Sequence, residues 1–192
     1  MKPALKYGLL FAVGWIVLKM IFKAVNILQD DIFITGLINN LFLLLAISFG
    51  LFHEKKKEGL GQGTALSDIK NAMIAGTPYA VIVSVFMFFY YRDISPEFIQ
   101  TKSQERIDVV YNALQRPSYV DSLKMTDEKY EVMTKDEIFS ELKDGIQQSY
   151  KPNFLLTFSL LGFVVLAITY SIMVTTIFRK ILLRDFYKSR PQ

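Results

Sequence analysis

The sequence predicts an all-α membrane protein, a four-transmembrane-helix bundle with a helical extracytoplasmic insertion between the third and fourth spans. Three observations carry this reading. Four apolar blocks, at about residues 4–28, 32–52, 72–91 and 154–178, are each long enough to cross a hydrocarbon core, which takes about 20 helical residues. Lysine and arginine gather on one side of those blocks. The polar stretch 92–153 carries helix-start signals and amphipathic periodicity.

Composition narrows the chemistry. Of 192 residues, 52% are hydrophobic, and because lipid offers backbone groups no partner, each apolar block is expected to be helical. A β-barrel would instead show short alternating segments. Cysteine is absent, which excludes disulfides, thiolate metal sites and cysteine nucleophiles. The single histidine, His53, excludes a histidine-rich metal centre and reads as interfacial. A carboxylate-only site for a hard cation stays open, and no cofactor is implied.

The first block is too long for a signal-peptide core, is interrupted by Lys19 and Lys23, and is not followed by a small-x-small cleavage site, so it reads as a retained span. Gly8, Ala12, Lys19, Lys23, Asn26 and Asp30 recur at three- and four-residue steps, with Trp15 and Ile16 filling the gap, and define the side that faces protein. A turn at Gln29–Asp31 makes the first two spans a hairpin. The second span carries a comparable stripe of Thr35, Asn39, Phe42, Ala46 and Gly50, with Asn40 beside it. The hairpin places Lys19 and Lys23 level with Asn39 and Asn40, a candidate intramembrane polar layer. Two readings are open for it. Ionisable groups in a membrane are costly unless used or paired, which suggests an anion or substrate site. Lys23 is also near enough to the turn to snorkel toward Asp30 or lipid phosphate, and Lys19 to be held by polar neighbours.

His53 to Glu58 forms a basic connection in which Lys55, Lys56 and Lys57 are candidate contacts for anionic lipid headgroups or topology anchors. Gly59, Gly61 and Gly63 read as a flexible turn, because no Gly-Lys-Ser/Thr follows. The third span carries a ladder of Ala72, Gly76, Ala80 and Ser84 that suits close helix approach. In the insertion, Ser95-Pro96-Glu97 is a helix start with serine as cap. Ile99, Ile107, Val110, Tyr111 and Leu114 supply an apolar face. Thr134-Lys135-Asp136-Glu137 is a capping box leading into Ile138, Phe139, Leu142 and Ile146. The stretch 118–133 is ambiguous, and Pro152 separates the insertion from the fourth span. That span carries Ser159, Gly162, Leu166, Thr169, Met173 and Thr176, the expected packing seam.

The net charge of +4 is unevenly distributed. Lys2 and Lys6, the 53–71 connection and the tail from Arg179 are basic, whereas Asp30–Asp31 and the 92–153 segment are acidic. The positive-inside bias then puts both termini in the cytoplasm and the insertion outside. An acidic segment facing away from the cytoplasm argues against nucleic acid as a partner.

A glycine-containing basic turn leads through Thr64-Ala65-Leu66-Ser67-Asp68-Ile69-Lys70 into a small-residue span that ends in Phe88-Phe89-Tyr90-Tyr91, followed by Ile94-Ser95-Pro96-Glu97-Phe98. On these residues the chain resembles the four-helix membrane proteins common in Bacteroidota that are grouped as domain of unknown function 4199. The resemblance implies a multi-pass protein of a bacterial inner membrane. It carries over no activity and no functional residue. The expected function is therefore non-enzymatic: a binding, sensing or accessory subunit in contact with membrane lipids, meeting a protein partner through residues 95–146 and compatible with self-association. The alternative is a small transporter or channel component using Lys19, Lys23, Asn39 and Asn40.

Overall fold

The structure, a computed structural model, describes residues 1–28, 31–182 and 184. Every regular element among them is helical: α1 (Pro3–Ala24), α2 (Ile32–Glu58), α3 (Ala65–Phe89), α4 (Pro96–Leu114), α5 (Pro117–Thr126), α6 (Glu128–Glu131), α7 (Lys135–Ser149) and α8 (Pro152–Ile177). A π-helical turn, Tyr90–Ile94, continues α3, and another, Phe178–Leu182, continues α8. The chain divides into two compact units, Met1–Met87 with Phe158–Gln192, and Phe88–Thr157.

Four helices are long and apolar enough to cross a membrane: Pro3–Ala24, Ile32–Glu58, Ala65–Ile94 and Pro152–Ile181. Only 22–39% of each apolar window is buried within the protein, so most of these side chains need an apolar solvent, which lipid supplies. The helix bounds differ from the apolar blocks. α1 stops at Ala24 rather than Leu28, because Asn26 and Leu28 adopt φ of +54°, and Asn26 is exposed rather than on the protein-facing side. Of the expected turn, Gln29 and Asp30 lie outside the described residues, as does the tail beyond Arg184. Asp31 caps α2 by accepting the Ile34 N–H at 2.8 Å. α2 then runs past Phe52 to Glu58, so the basic stretch expected to be a connection is its last turns. α3 begins at Ala65 instead of Ala72, with the Thr64 hydroxyl accepting the Ser67 N–H.

The first unit has one core drawn from all four long helices: Ala12 and Trp15 of α1, Leu43, Ile47 and Leu51 of α2, Tyr79 and Val83 of α3, Ala167 and Val174 of α8. Because lipid is as apolar as these side chains, close packing rather than water exclusion holds such helices together. The tightest point joins α1, α2 and α3. A Cβ on Gly8 would lie 2.3 Å from the Ala75 carbonyl oxygen, and one on Gly50 would lie 2.6 Å from the Ala75 Cβ and 3.3 Å from the Ala4 Cα. Ala72, Gly76, Ala80 and Ser84 are all buried on α3. On α8 the expected seam is not the buried face. Gly162, Thr169, Met173 and Thr176 are exposed, whereas Ala167, Ser171, Val174 and Thr175 are buried. Thr169 and Thr176 can face outward because each hydroxyl donates to the carbonyl four residues earlier, at 3.0 and 2.8 Å.

The second unit has its own small core, in which Val110 and Leu114 of α4 meet Ile138 of α7, with Phe139, Leu142 and Ile146 packed around them. The ambiguous 118–133 stretch forms α5 and α6, whose Val120, Leu123 and Tyr130 join that core. Ser95 stands at the N-cap of α4 as expected, but its side chain makes no capping bond to the helix backbone; it is 3% exposed and its hydroxyl donates to Glu97 at 2.8 Å. α7 starts on a complete capping box. There the Glu137 carboxylate accepts the Thr134 N–H at 2.7 Å and its hydroxyl at 2.8 Å, which holds the carboxyl below the usual glutamate range. A depressed folded-state value means that this stabilisation is present above the ordinary glutamate pKa and is lost as pH falls through the depressed one. Replacing Thr134 by alanine is expected to cost about 1 kcal/mol of helix stability, read as roughly five-fold faster amide exchange in the first turn of α7. The Lys129–Glu141 pair ties α6 to α7 but is solvent-exposed and contributes little.

Candidate functional site

The polar layer expected in the first unit is partly assembled. Lys19 lies eleven residues beyond Gly8, and Asn39 lies eleven before Gly50. Since both glycines meet Ala75, the two polar residues share a level about 16 Å from that crossing. Lys19 is 3% exposed and Asn39 4%, while Lys23 and Asn40 are only half-buried. Asn39 is held by α3: the Tyr79 hydroxyl lies 2.5 Å from its side-chain oxygen and 3.1 Å from its carbonyl. Tyr79 therefore belongs to the layer, although its place in an apolar stretch marks it only as core.

The lysine run divides. Lys56 and Lys57 are exposed, but Lys55 is 1% exposed and is turned inward, which removes it from the lipid-facing set. Its ammonium lies 2.7 Å from Asp68 Oδ1 and 3.5 Å from Glu58, and it donates to the Gln62 carbonyl. The other Asp68 oxygen takes Arg179 Nη1 at 2.6 Å, and the same nitrogen reaches the Gly63 carbonyl at 3.3 Å. Asn71 donates to Glu58 at 3.0 Å. Glu54, 5% exposed, accepts the Ala4 N–H at 3.3 Å and so places a carboxylate at the positive end of α1. The end of α2, the start of α3, the turn that continues α8 and the 59–64 loop are fastened by one charged cluster, and Glu54 separately ties the start of α1 to α2.

The cluster had a readable signal. Leu43, Ile47, Leu51 and Lys55 follow at four-residue steps on α2; Asp68 stands one step before the Ala72 ladder on α3; Ala167, Ser171, Thr175 and Arg179 do the same on α8. Each buried column ends in a charge, and the three charges meet. Among the described residues the buried hydroxyls of Ser171 and Thr175 have no hydrogen-bond partner. Small size rather than polarity accounts for them: Ala167 in the same column lies 3.0 Å from where a Cβ on Gly76 would sit. Because Asp68 satisfies both cations at once, the cluster acts as a clamp, with its charges spent on one another. Among the described residues no group of three or more His, Cys, Asp or Glu side chains is arranged to hold a metal ion.

The second unit presents the opposite kind of surface. At its α5–α6 end Met125 is 88% exposed and Val132 90%. Met125 lines a depression together with Asp121, Lys124, Glu128 and Glu131. No curated protein and no solved structure matches the chain. Residues 6–180 match the family described as Protein of unknown function (DUF4199), and with most of its length covered the chain belongs to that family.

Proposed function

We propose that this is a non-enzymatic, multi-pass protein of a bacterial inner membrane, a binding or accessory subunit that recognises a protein partner through its 88–157 unit. Both termini lie in the cytoplasm and the four spans form a bundle. The observation that carries the reading is the exposure of Met125 and Val132 on a unit with its own core. Exposed apolar side chains, with Asp121, Glu128 and Glu131 beside Met125, suit a partner whose surface is apolar with a basic rim. The charges of Lys55, Asp68 and Arg179 in the first unit, by contrast, are engaged with one another and leave recognition to the second.

Photo-crosslinkers placed at Met125 and Val132 in the intact protein in cells are expected to trap one discrete partner that a crosslinker at exposed Asp108 does not. Equal products at all three positions would overturn the reading. Reporters fused after Asp31 and at residue 120 should register outside and one near Gly61 inside; an outward signal at Gly61 would sink the orientation.

One observation favours a second reading, a small transporter or channel component: Lys19 is 3% exposed at the level of Asn39. Substituting Lys19 and Lys23 by leucine removes one buried charge, of a kind that costs about 2.5–3.5 kcal/mol to insert at a helix centre, and one in the last turn of α1. An accessory subunit is expected to assemble as before with solute flux unaltered. A change in flux with assembly intact would favour transport.

A further inference from the structure

The second unit contains a groove of about 410 Å³ whose walls come from the end of one apolar span and the start of another. Tyr91 and Arg92 belong to the last turn of the Ala65–Ile94 span, and Lys151 directly precedes Pro152, where the next begins. That position is the depth of lipid headgroups, between hydrocarbon and water. α4 supplies Gln100 and a floor that includes Ile107, 5% exposed; α7 and its end supply Gln147 and Tyr150.

The lining carries two cations and no carboxylate. Arg92 is held in place by the faces of Phe88 and Phe89, each 4.8 Å from its guanidinium carbon. Asp93 takes its Nε at 2.8 Å and its Nη2 at 2.7 Å. A guanidinium has five N–H donors, so that pair leaves three for a second acceptor. Among the described residues the Lys151 ammonium has no hydrogen-bond or ion-pair partner, and its three donors are open. Amide and phenol groups beside them add neutral donors, and the apolar floor suits the glycerol and first methylenes of a chain.

The geometry points to a phospholipid site: the groove holds the phosphate headgroup of an anionic lipid from the leaflet on the side of the 88–157 unit, through Arg92 and Lys151. It accounts for cations at the span ends of a segment that is otherwise acidic, and it uses residues distinct from the Met125–Val132 surface. A protein partner is not required for it.

Native mass spectrometry of the full chain released from micelles containing phosphatidylglycerol or phosphatidylcholine tests this. The wild type is expected to retain a phosphatidylglycerol adduct in preference to phosphatidylcholine. Lys151→Gln alone should lower that retention by about five-fold and Arg92→Gln with Lys151→Gln by about 25-fold, because each surface cation is worth roughly five-fold. The charge-preserving pair Arg92→Lys and Lys151→Arg should keep the adduct, which separates loss of charge from loss of fold. Substituting Lys56 and Lys57 by glutamine at the other end of the spans should leave it unchanged. Equal retention by the double glutamine variant, equal binding of phosphatidylcholine, or displacement of the lipid by inorganic phosphate would each overturn the assignment.

Discussion

Replacing Asp68 by alanine is expected to destabilise the protein by about 3–5 kcal/mol, the range found when one partner of a buried ion pair is removed. Asp68 receives Lys55 at 2.7 Å and Arg179 at 2.6 Å, and Lys55 is 1% exposed, so the variant leaves an ammonium in the interior with its principal counter-charge gone. The chain supplies its own probe. Trp15 is the only tryptophan and is 1% exposed in the core of the first unit, so its emission should shift to longer wavelength as that unit opens. Thermal unfolding in detergent followed at this residue should show a clear drop in midpoint for Asp68→Ala. The triple variant Lys55→Met, Asp68→Leu, Arg179→Met should recover most of the loss, because apolar replacement of a whole buried ionic group is often neutral or stabilising. A midpoint for Asp68→Ala equal to wild type would show that the cluster does not clamp the helix ends.

Gly8→Ala is expected to destabilise the first unit through a single added methyl. The added Cβ would meet the Ala75 carbonyl oxygen at 2.3 Å, and that obstacle is helix backbone, which cannot rotate aside. α1 must move away from α3, which typically costs about 1–3 kcal/mol or more. Gly162→Ala makes the matched control, since nothing lies within 4 Å of its Cβ position. Its stability should be unchanged or slightly raised, as alanine favours a helix over glycine. The same tryptophan-monitored melting compares the two, and equal midpoints would refute the three-helix crossing at Ala75.

These two glycines also mark where the sequence could be read and where it could not. Gly8 falls on a stripe with Ala12 and Trp15 that periodicity picks out correctly, because small residues and a large aromatic at helical spacing leave one face fit for packing. Gly162 belongs to a pattern of the same form on α8 that turns out to face outward. What misleads there is threonine: a hydroxyl that donates back along its own helix no longer needs a protein partner, so Thr169 and Thr176 give no reliable bearing on the inside. The capping box at Thr134 was legible because both partners are local. The Lys55–Asp68–Arg179 cluster left a fainter trace, because its partners are 13 and 111 residues apart and Lys55 looks like its neighbours Lys56 and Lys57. Only extension of the buried columns by one step past each apolar block separates it from them.

The bond from the Ala4 N–H to Glu54 sets an order on biosynthesis. The acceptor that finishes the beginning of α1 is made 50 residues later, at the far end of the next span. Until α2 is made, the Ala4 N–H has only water to satisfy it, and Glu54 takes the place of that water once α2 packs against α1. The beginning of α1 is therefore finished only in company with the end of α2.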